Sequence, residues 1–256
     1  MTYKTIGIIG AGVIGRALFD HIQALGEVNV DYVLASSGRD KPGRDPAMAN
    51  LIVDDLDEAI ARKVDLVLEA ATPDLLASAG PRILAHSDLC GFSCSALSDP
   101  VVEKAIQDAA AKAGTRFFLP HGAVLGLDGL MDGRDQIDEV VITTTKSGPS
   151  LGEAAETRGV VFEGSARDAC ARFPRNVNVH AAVALAGIGF DRTRSVVVAD
   201  PNTKAMKHHI AVSGKGLQWE ITVSSTSLGG VTGAYTPKSA IGSLTRILGR
   251  STFANV

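Results

Sequence analysis

The pattern of apolar and polar positions follows two regimes that change near residue 120. Residues 5–9 form a short β-branched apolar run and predict a buried strand. Ala17, Leu18, Ile22 and Leu25 then recur on one helical face and stop at Gly26, which predicts a helix with a glycine end. Further strands are predicted over 30–35, 64–71, 88–95 and 116–119, with helices over 56–61, 73–85 and 101–113. Residues 36–50, rich in Gly, Pro, Arg and Asp, read as a loop. Strand alternating with helix argues for a parallel α/β sheet with right-handed crossovers.

Beyond Pro120, Val/Ile/Thr-rich segments at 139–146, 195–199, 210–213 and 219–225 are broken by glycine turns and by one helical stretch, 178–185. Strand after strand predicts an α+β domain with a mixed or antiparallel sheet. Ile241, Leu244, Ile247 and Leu248 give the tail a helical period. The expected organisation is a first domain over 1–120 and a second over 121–237, with a C-terminal helix (238–256) packing back on the first.

Composition narrows the class. The chain has 256 residues, 45% of them hydrophobic, and a net charge of −3, with mean hydropathy +0.16. That is enough apolar material for a sizeable core, and there is no basic excess to neutralise phosphates, so nucleic acid is not an expected partner. No run approaches the ~20 apolar residues of a membrane span, and the first residues lack the apolar stretch of a signal peptide. Cys90, Cys94 and Cys170 are too few and too odd for a disulfide framework or a zinc site, and Cys94 reads as small packing. A soluble cytoplasmic protein without a metal is expected. Glycine is high, at 27 residues, while aromatics are only 5%.

Some of that glycine has a specific place. Gly10-Ala11-Gly12-Val13-Ile14-Gly15 follows the first predicted strand and opens the first predicted helix. In that context Gly10 permits a tight turn, Gly12 lets backbone approach a pyrophosphate, and Gly15 lets helix and strand pack closely. The anion would rest on the free N–H groups at the helix start, those of Val13 and Ile14 among them. The expected fold class is α/β: a Rossmann-type doubly wound parallel sheet followed by an α+β catalytic domain. The second strand ends at Ala35-Ser36-Ser37, with no acidic residue to hold a ribose hydroxyl, and Arg39 follows. A hydroxyl and a cation there suit a 2′-phosphate, so the expected cofactor is NAD or NADP. Ala71, at the end of the 64–71 strand, is a further expected cofactor contact.

Three ordered motifs carry a resemblance. Residues 120–128 (PHGAVLGLD), 173–179 (FPRNVNV) and Ala199-Asp200-Pro201 with His208 eight residues past Asp200 resemble segments of the L-aspartate dehydrogenase family. Pro237-Lys238 is similar to that family's late Pro-Lys. The resemblance implies oxidative deamination of L-aspartate to iminoaspartate, which hydrolyses to oxaloacetate and ammonia, together with the reverse reductive amination. It also implies a supply of iminoaspartate for NAD biosynthesis. Cofactor contacts fall by this match on Ala123 and Asn178, and the catalytic histidine on His208. The family often has Asn where this chain has Met206. Two other readings stand beside it: a dihydrodipicolinate-reductase-like enzyme, whose His-His pair His208-His209 resembles, and a non-enzymatic dinucleotide sensor.

The chemistry supports the same set. Moving protons near neutral pH calls for histidine. His21 and His86 fall in first-domain helices, His180 heads a helix, and His121 starts the crossing between domains. His208 and His209 are adjacent, so on a strand they face opposite ways and only one can serve. A dicarboxylate substrate calls for cations, and Lys238 and Arg175 are the leading candidates, with His121 beside them and Lys146 behind. Asn176 and Asn178 are expected to divide two tasks, one reaching ligand and one capping the next helix. Asp200-Pro201 is expected to shape a turn. The expected partner is a small molecule, and a homodimer is the common state of such enzymes.

Overall fold

The computed structural model describes residues 3–36, 45–228 and 232–249. Of the expected contacts past β2, Ser36 is described, whereas Arg39 falls in residues 37–44, outside the described residues. The chain divides into two units: residues 1–93, 100–120 and 237–256 form the first, and residues 94–99 and 121–236 form the second.

In the first unit β1 (Thr5–Ile9), α1 (Val13–Leu25), β2 (Asn29–Leu34), α2 (Pro46–Ala49), β3 (Ile52–Val53), α3 (Leu56–Ala61), β4 (Leu66–Glu69), α4 (Pro73–Leu84), β5 (Asp88–Gly91), α5 (Pro100–Ala113) and β6 (Phe117–Phe118) follow in order. The six strands are all parallel, in the order β3-β2-β1-β4-β5-β6. That is the doubly wound order whose reversal lies between β1 and β4. Helices α3 and α4 start where the sequence supplies a side-chain cap. Asp55 accepts from the Glu58 N–H at 2.7 Å to open α3, and Thr72 accepts from Leu75 N–H ahead of Pro73 to open α4. Gly26, at φ 67°, closes α1. Ile6, Ile8, Leu18, Phe19, Ile22, Leu66 and Leu68 fill the core, and a late helix, α10 (Tyr235–Ile247), adds Ala240 and Leu244 to it.

Two first-unit expectations change. The loop at 36–50 contains α2, because Asp45 accepts from the Ala47 and Met48 N–H groups ahead of Pro46. The strand expected to reach Ser95 stops at Gly91, and Cys94–Ser98 forms a 3₁₀ turn belonging to the second unit. An apolar run that is buried on both sides has no period to mark where the strand ends.

The second unit contains α6 (Leu127–Asp132), β7 (Ile137–Lys146), α7 (Gly148–Leu151), β8 (Gly159–Ser165), α8 (Ala166–Arg172), α9 (Asn178–Ala186), β9 (Arg194–Ala199), β10 (Ala205–Gly214) and β11 (Leu217–Thr226). Its five-stranded sheet runs β11-β10-β7-β9-β8 and is mixed: β7 pairs parallel with β9, and the other neighbours are antiparallel. Strand β8 and helices α6, α7 and α8 went unpredicted. The alternation of β8 is weak because both of its faces are partly exposed. Helix α9 is a core helix: Val179 to Ala184 and Ala186 are buried, His180 among them.

Candidate active site

Within the first unit, the glycine turn can be tested for its fit to a dinucleotide. A Cβ on Gly15 would stand 1.9 Å from the Gly10 carbonyl oxygen, and one on Gly10, at φ 100°, would stand 2.5 Å from Ala70 O. Those two glycines are required by the close approach of α1, β1 and the chain after β4. Gly12 is different: nothing lies within 4 Å of its Cβ position, and it is exposed. Gly12 also supplies no side-chain cap to α1, and the first turn carries no acidic residue. Free N–H groups at Val13 and Ile14, with an open approach over Gly12, fit a pyrophosphate. Val13 is 48% exposed, as a residue facing a ligand would be. Ser36 is an exposed bend residue just after β2.

Sequence reasoning gave no role to Glu69, at the end of β4. It is buried and accepts from the Ala71 N–H at 2.7 Å, Ser93 Oγ at 2.8 Å and the Ser93 N–H at 3.1 Å. Burial raises its pKa against the pull of those bonds. Glu69 therefore holds the chain at Ala71 in place beside the glycine turn. Ala71 uses its N–H on Glu69, leaving its carbonyl and methyl for any contact with a cofactor. No signal short of the fold marks Glu69, since a lone acid at the end of an apolar run reads as a surface residue.

The second unit gathers polar side chains inside its sheet. Along β7 the buried face carries Val140, Ile142, Thr144 and Lys146 in alternation. Thr144 lies opposite His208 of β10, Lys146 opposite Ala199 of β9, and Ser195 opposite Ile142. The Thr144 hydroxyl lies 2.9 Å from His208 Nδ1 and 2.6 Å from His180 Nε2, and His180 Nδ1 meets the Ser195 hydroxyl. All four are buried. Lys146, 3% exposed, donates from Nζ to the Asn176 carbonyl at 3.1 Å and to Asn176 Oδ1 at 3.3 Å. Among the described residues no carboxylate pairs with it. Burial lowers its pKa to about 8. Burial, with the nearby Lys146 charge, lowers His208 to about 3, and His180 is lowered well below its ordinary value by burial, His208 and Lys146. Both imidazoles are neutral at pH 7. Among the described residues no group of His, Cys, Asp and Glu could hold a metal.

The expected residues separate clearly. His208 is inside and His209 is half-buried on the other face, 3.2 Å from Glu220, as opposite directions on one strand require. Asn178 does not cap α9. Its Oδ1 accepts from the Ser95 N–H at 3.1 Å, and Ser95 Oγ donates to the Pro174 carbonyl. Asn176 does not cap it either, because its Oδ1 accepts from Lys146. The expected division of the two amides is thus replaced by one that ties 94–99 to the FPRNVNV segment and one that holds a lysine. Asp200 shapes its turn, accepting from the Asn202 N–H. Arg175 and Lys238 are exposed, and His121 and Ala123 are half-buried. Lys146 and His180, secondary on sequence, join His208 at the buried centre of the second unit.

A doubly wound sheet with a dinucleotide turn, joined to a unit that buries neutral imidazoles beside an ammonium, defines an NAD(P)-dependent oxidoreductase. "L-aspartate dehydrogenase 1" of Bordetella pertussis is 38% identical over 218 residues, covering 82% of each chain. The chain belongs to the L-aspartate dehydrogenase family. Residues 128–247 match the family model described as aspartate dehydrogenase, C-terminal, and residues 10–120 match homoserine dehydrogenase, NAD binding domain. L-aspartate dehydrogenase of Methanosarcina acetivorans is 34% identical over 227 residues, covering 82% of this chain and 83% of its own. The crystal structure of aspartate dehydrogenase from Thermotoga maritima superposes with a TM-score of 0.77 at 27% identity, covering 99% of this chain and all of that one.

Proposed function

We propose that the chain oxidises L-aspartate to iminoaspartate with NAD⁺ or NADP⁺, and that iminoaspartate takes up water to give oxaloacetate and ammonium. The reverse direction is reductive amination. The observation that carries this reading is Lys146: a buried ammonium without a carboxylate partner, in the same buried face as a neutral histidine. A substrate carboxylate would supply the missing charge. Aspartate brings two, and each raises the pKa of the Lys146 and His208 groups it approaches, because opposite charge favours the protonated form. When bound, the nicotinamide cofactor accepts the hydride from Cα. His208 takes and returns protons as the amine becomes an imine and the imine adds water. Gly12, Val13 and Ile14 hold the cofactor phosphates on a turn that Gly10 and Gly15 let form, and Ala71, Ala123 and Asn178 complete its contacts. Arg175, Lys238 and His121 are the further substrate contacts of this reading.

Ser36 and Arg39 would let the protein use NADP alongside NAD. Arg39→Ala should raise the KM for NADP several-fold and leave that for NAD unchanged, and an unchanged KM for NADP removes Arg39 from the site. A homodimer in the cytoplasm, feeding iminoaspartate to NAD biosynthesis, belongs to the same proposal. No described helix is long and apolar enough to cross a membrane. The direct test follows NAD and NADP reduction with L-aspartate, L-glutamate and L-alanine from pH 7 to 10. Reduction with aspartate well above the other two is expected, and none with any amino acid in protein that binds cofactor overturns the reading.

A further inference from the structure

Among the described residues His208 is held not by a backbone carbonyl or a carboxylate, the usual ways of setting which ring nitrogen carries the proton, but by a hydroxyl. Its Nδ1 meets the Thr144 hydroxyl, which meets His180 Nε2, while His180 Nδ1 meets Ser195 Oγ. These residues come from β10, β7, α9 and β9, so four elements converge on one chain of hydrogen bonds. We propose that His180 is a positioning residue for His208, acting through the Thr144 hydroxyl to set the orientation and the tautomer of the His208 ring.

The argument is a count of protons. A threonine hydroxyl has one proton to donate and lone pairs to accept, and a neutral imidazole has one N–H and one bare nitrogen. If Thr144 donates to His180 Nε2, then His180 Nδ1–H donates to Ser195, and His208 Nδ1–H donates to Thr144. His208 Nε2 is then bare and is the nitrogen offered to a proton. In the reverse order Ser195 donates to His180, His180 Nε2–H to Thr144, and Thr144 to His208 Nδ1, which leaves Nε2 protonated. An arrangement with both rings donating to Thr144 leaves the Thr144 proton without either ring as its acceptor. In both chain orders the state of His208 Nε2 is therefore tied to the state of His180. The charged and titratable groups that act on the pair are Lys146 of β7 and the two imidazoles themselves. Their burial keeps the chain from being replaced by water, and apart from His180 every residue of α9 from Val179 to Ala186 is apolar.

The kinetic readout rests on the aspartate-oxidising reading, but the spectroscopic one does not. The experiment records the ring ¹⁵N resonances of His208 in the full-length protein and compares wild type with Thr144→Val, Thr144→Ser and Ser195→Ala. Wild type and Thr144→Ser should show one dominant tautomer of His208, and Thr144→Val a mixture. Thr144→Val should also lower kcat for aspartate roughly 10- to 100-fold, with KM changed less than threefold and the pH profile of kcat displaced, while Thr144→Ser stays within about threefold. Ser195→Ala leaves the His208 contact intact, so a changed His208 pattern in that variant supports transmission through His180. It also decides the matter if Thr144→Val does not fold. An unchanged His208 pattern in either folded variant, Thr144→Val or Ser195→Ala, overturns the proposal. If wild type shows no aspartate activity while the tautomer responds as expected, the functional reading fails and the positioning role stands.

Discussion

At the scale of single residues, burial separates side chains that the sequence leaves equivalent. His208 and His209 differ by one position, yet one is 4% exposed and neutral while the other sits beside Glu220 on the outer face. His208→Ala should therefore lower kcat for aspartate by about 10²–10⁴, and His209→Ala by less than threefold. The opposite ranking in steady-state rates would mean that the outer face carries the chemistry. Lys146 has a signature of its own. Its pKa is lowered to about 8, so its ammonium is present below that pH and lost as pH rises through it. The KM for aspartate should climb above pH 8 in wild type. Lys146→Met should raise KM at least tenfold at pH 7 and abolish the climb, with thermal stability unchanged or improved, because it removes a buried charge that has no carboxylate partner.

At the scale of elements, the glycine turn combines two different requirements. Gly15 is a packing glycine, since its Cβ would meet the Gly10 carbonyl and push α1 off β1. Gly12 faces open space, and an added methyl there meets no protein atom. Gly12→Ala should melt within about 2 °C of wild type and yet bind NAD at least tenfold more weakly in a titration. Gly15→Ala should lose both stability and binding. Equal loss of stability in both variants would show the motif to be purely structural. The elements of the first unit were legible because their apolar runs and caps are local: β1, α3 and the start of α4 stand where the sequence places them. The Cys94–Ser98 turn was not, because Ser95 is held by Asn178 and Pro174, about 80 residues away.

At the scale of the whole molecule, the two buried imidazoles of the second unit make folding depend on pH. Both have pKa values lowered by folding, His208 to about 3, so below pH 6.5 the unfolded chain binds more protons than the folded one. Stability from this source is complete above 6.5 and lost as pH falls. The melting temperature of wild type should drop more steeply between pH 6.5 and 4 than that of His208→Asn, and parallel curves would show that His208 carries no such linkage. The C-terminal helix matters at the same scale. Ala240 and Leu244 lie in the core of the first unit, so that unit is completed only by the last segment of the chain.

The sequence by itself determined the alternating first unit, the glycine turn, the strand-rich second unit and the family motifs, because each is written in neighbouring residues or in short ordered segments. Only the tertiary structure decided that Lys146 and His180 join His208, and that Thr144 and Ser195 link the two imidazoles. Those five residues are scattered over more than 60 positions, in three strands and a helix. Strand parity shows which residues share a face, but the sheet order and the helix laid against it choose which face is buried and which side chains meet there. Burial in turn sets their charge: an imidazole or ammonium removed from water loses its hydration, and the neutral form is favoured for reasons that no local pattern contains.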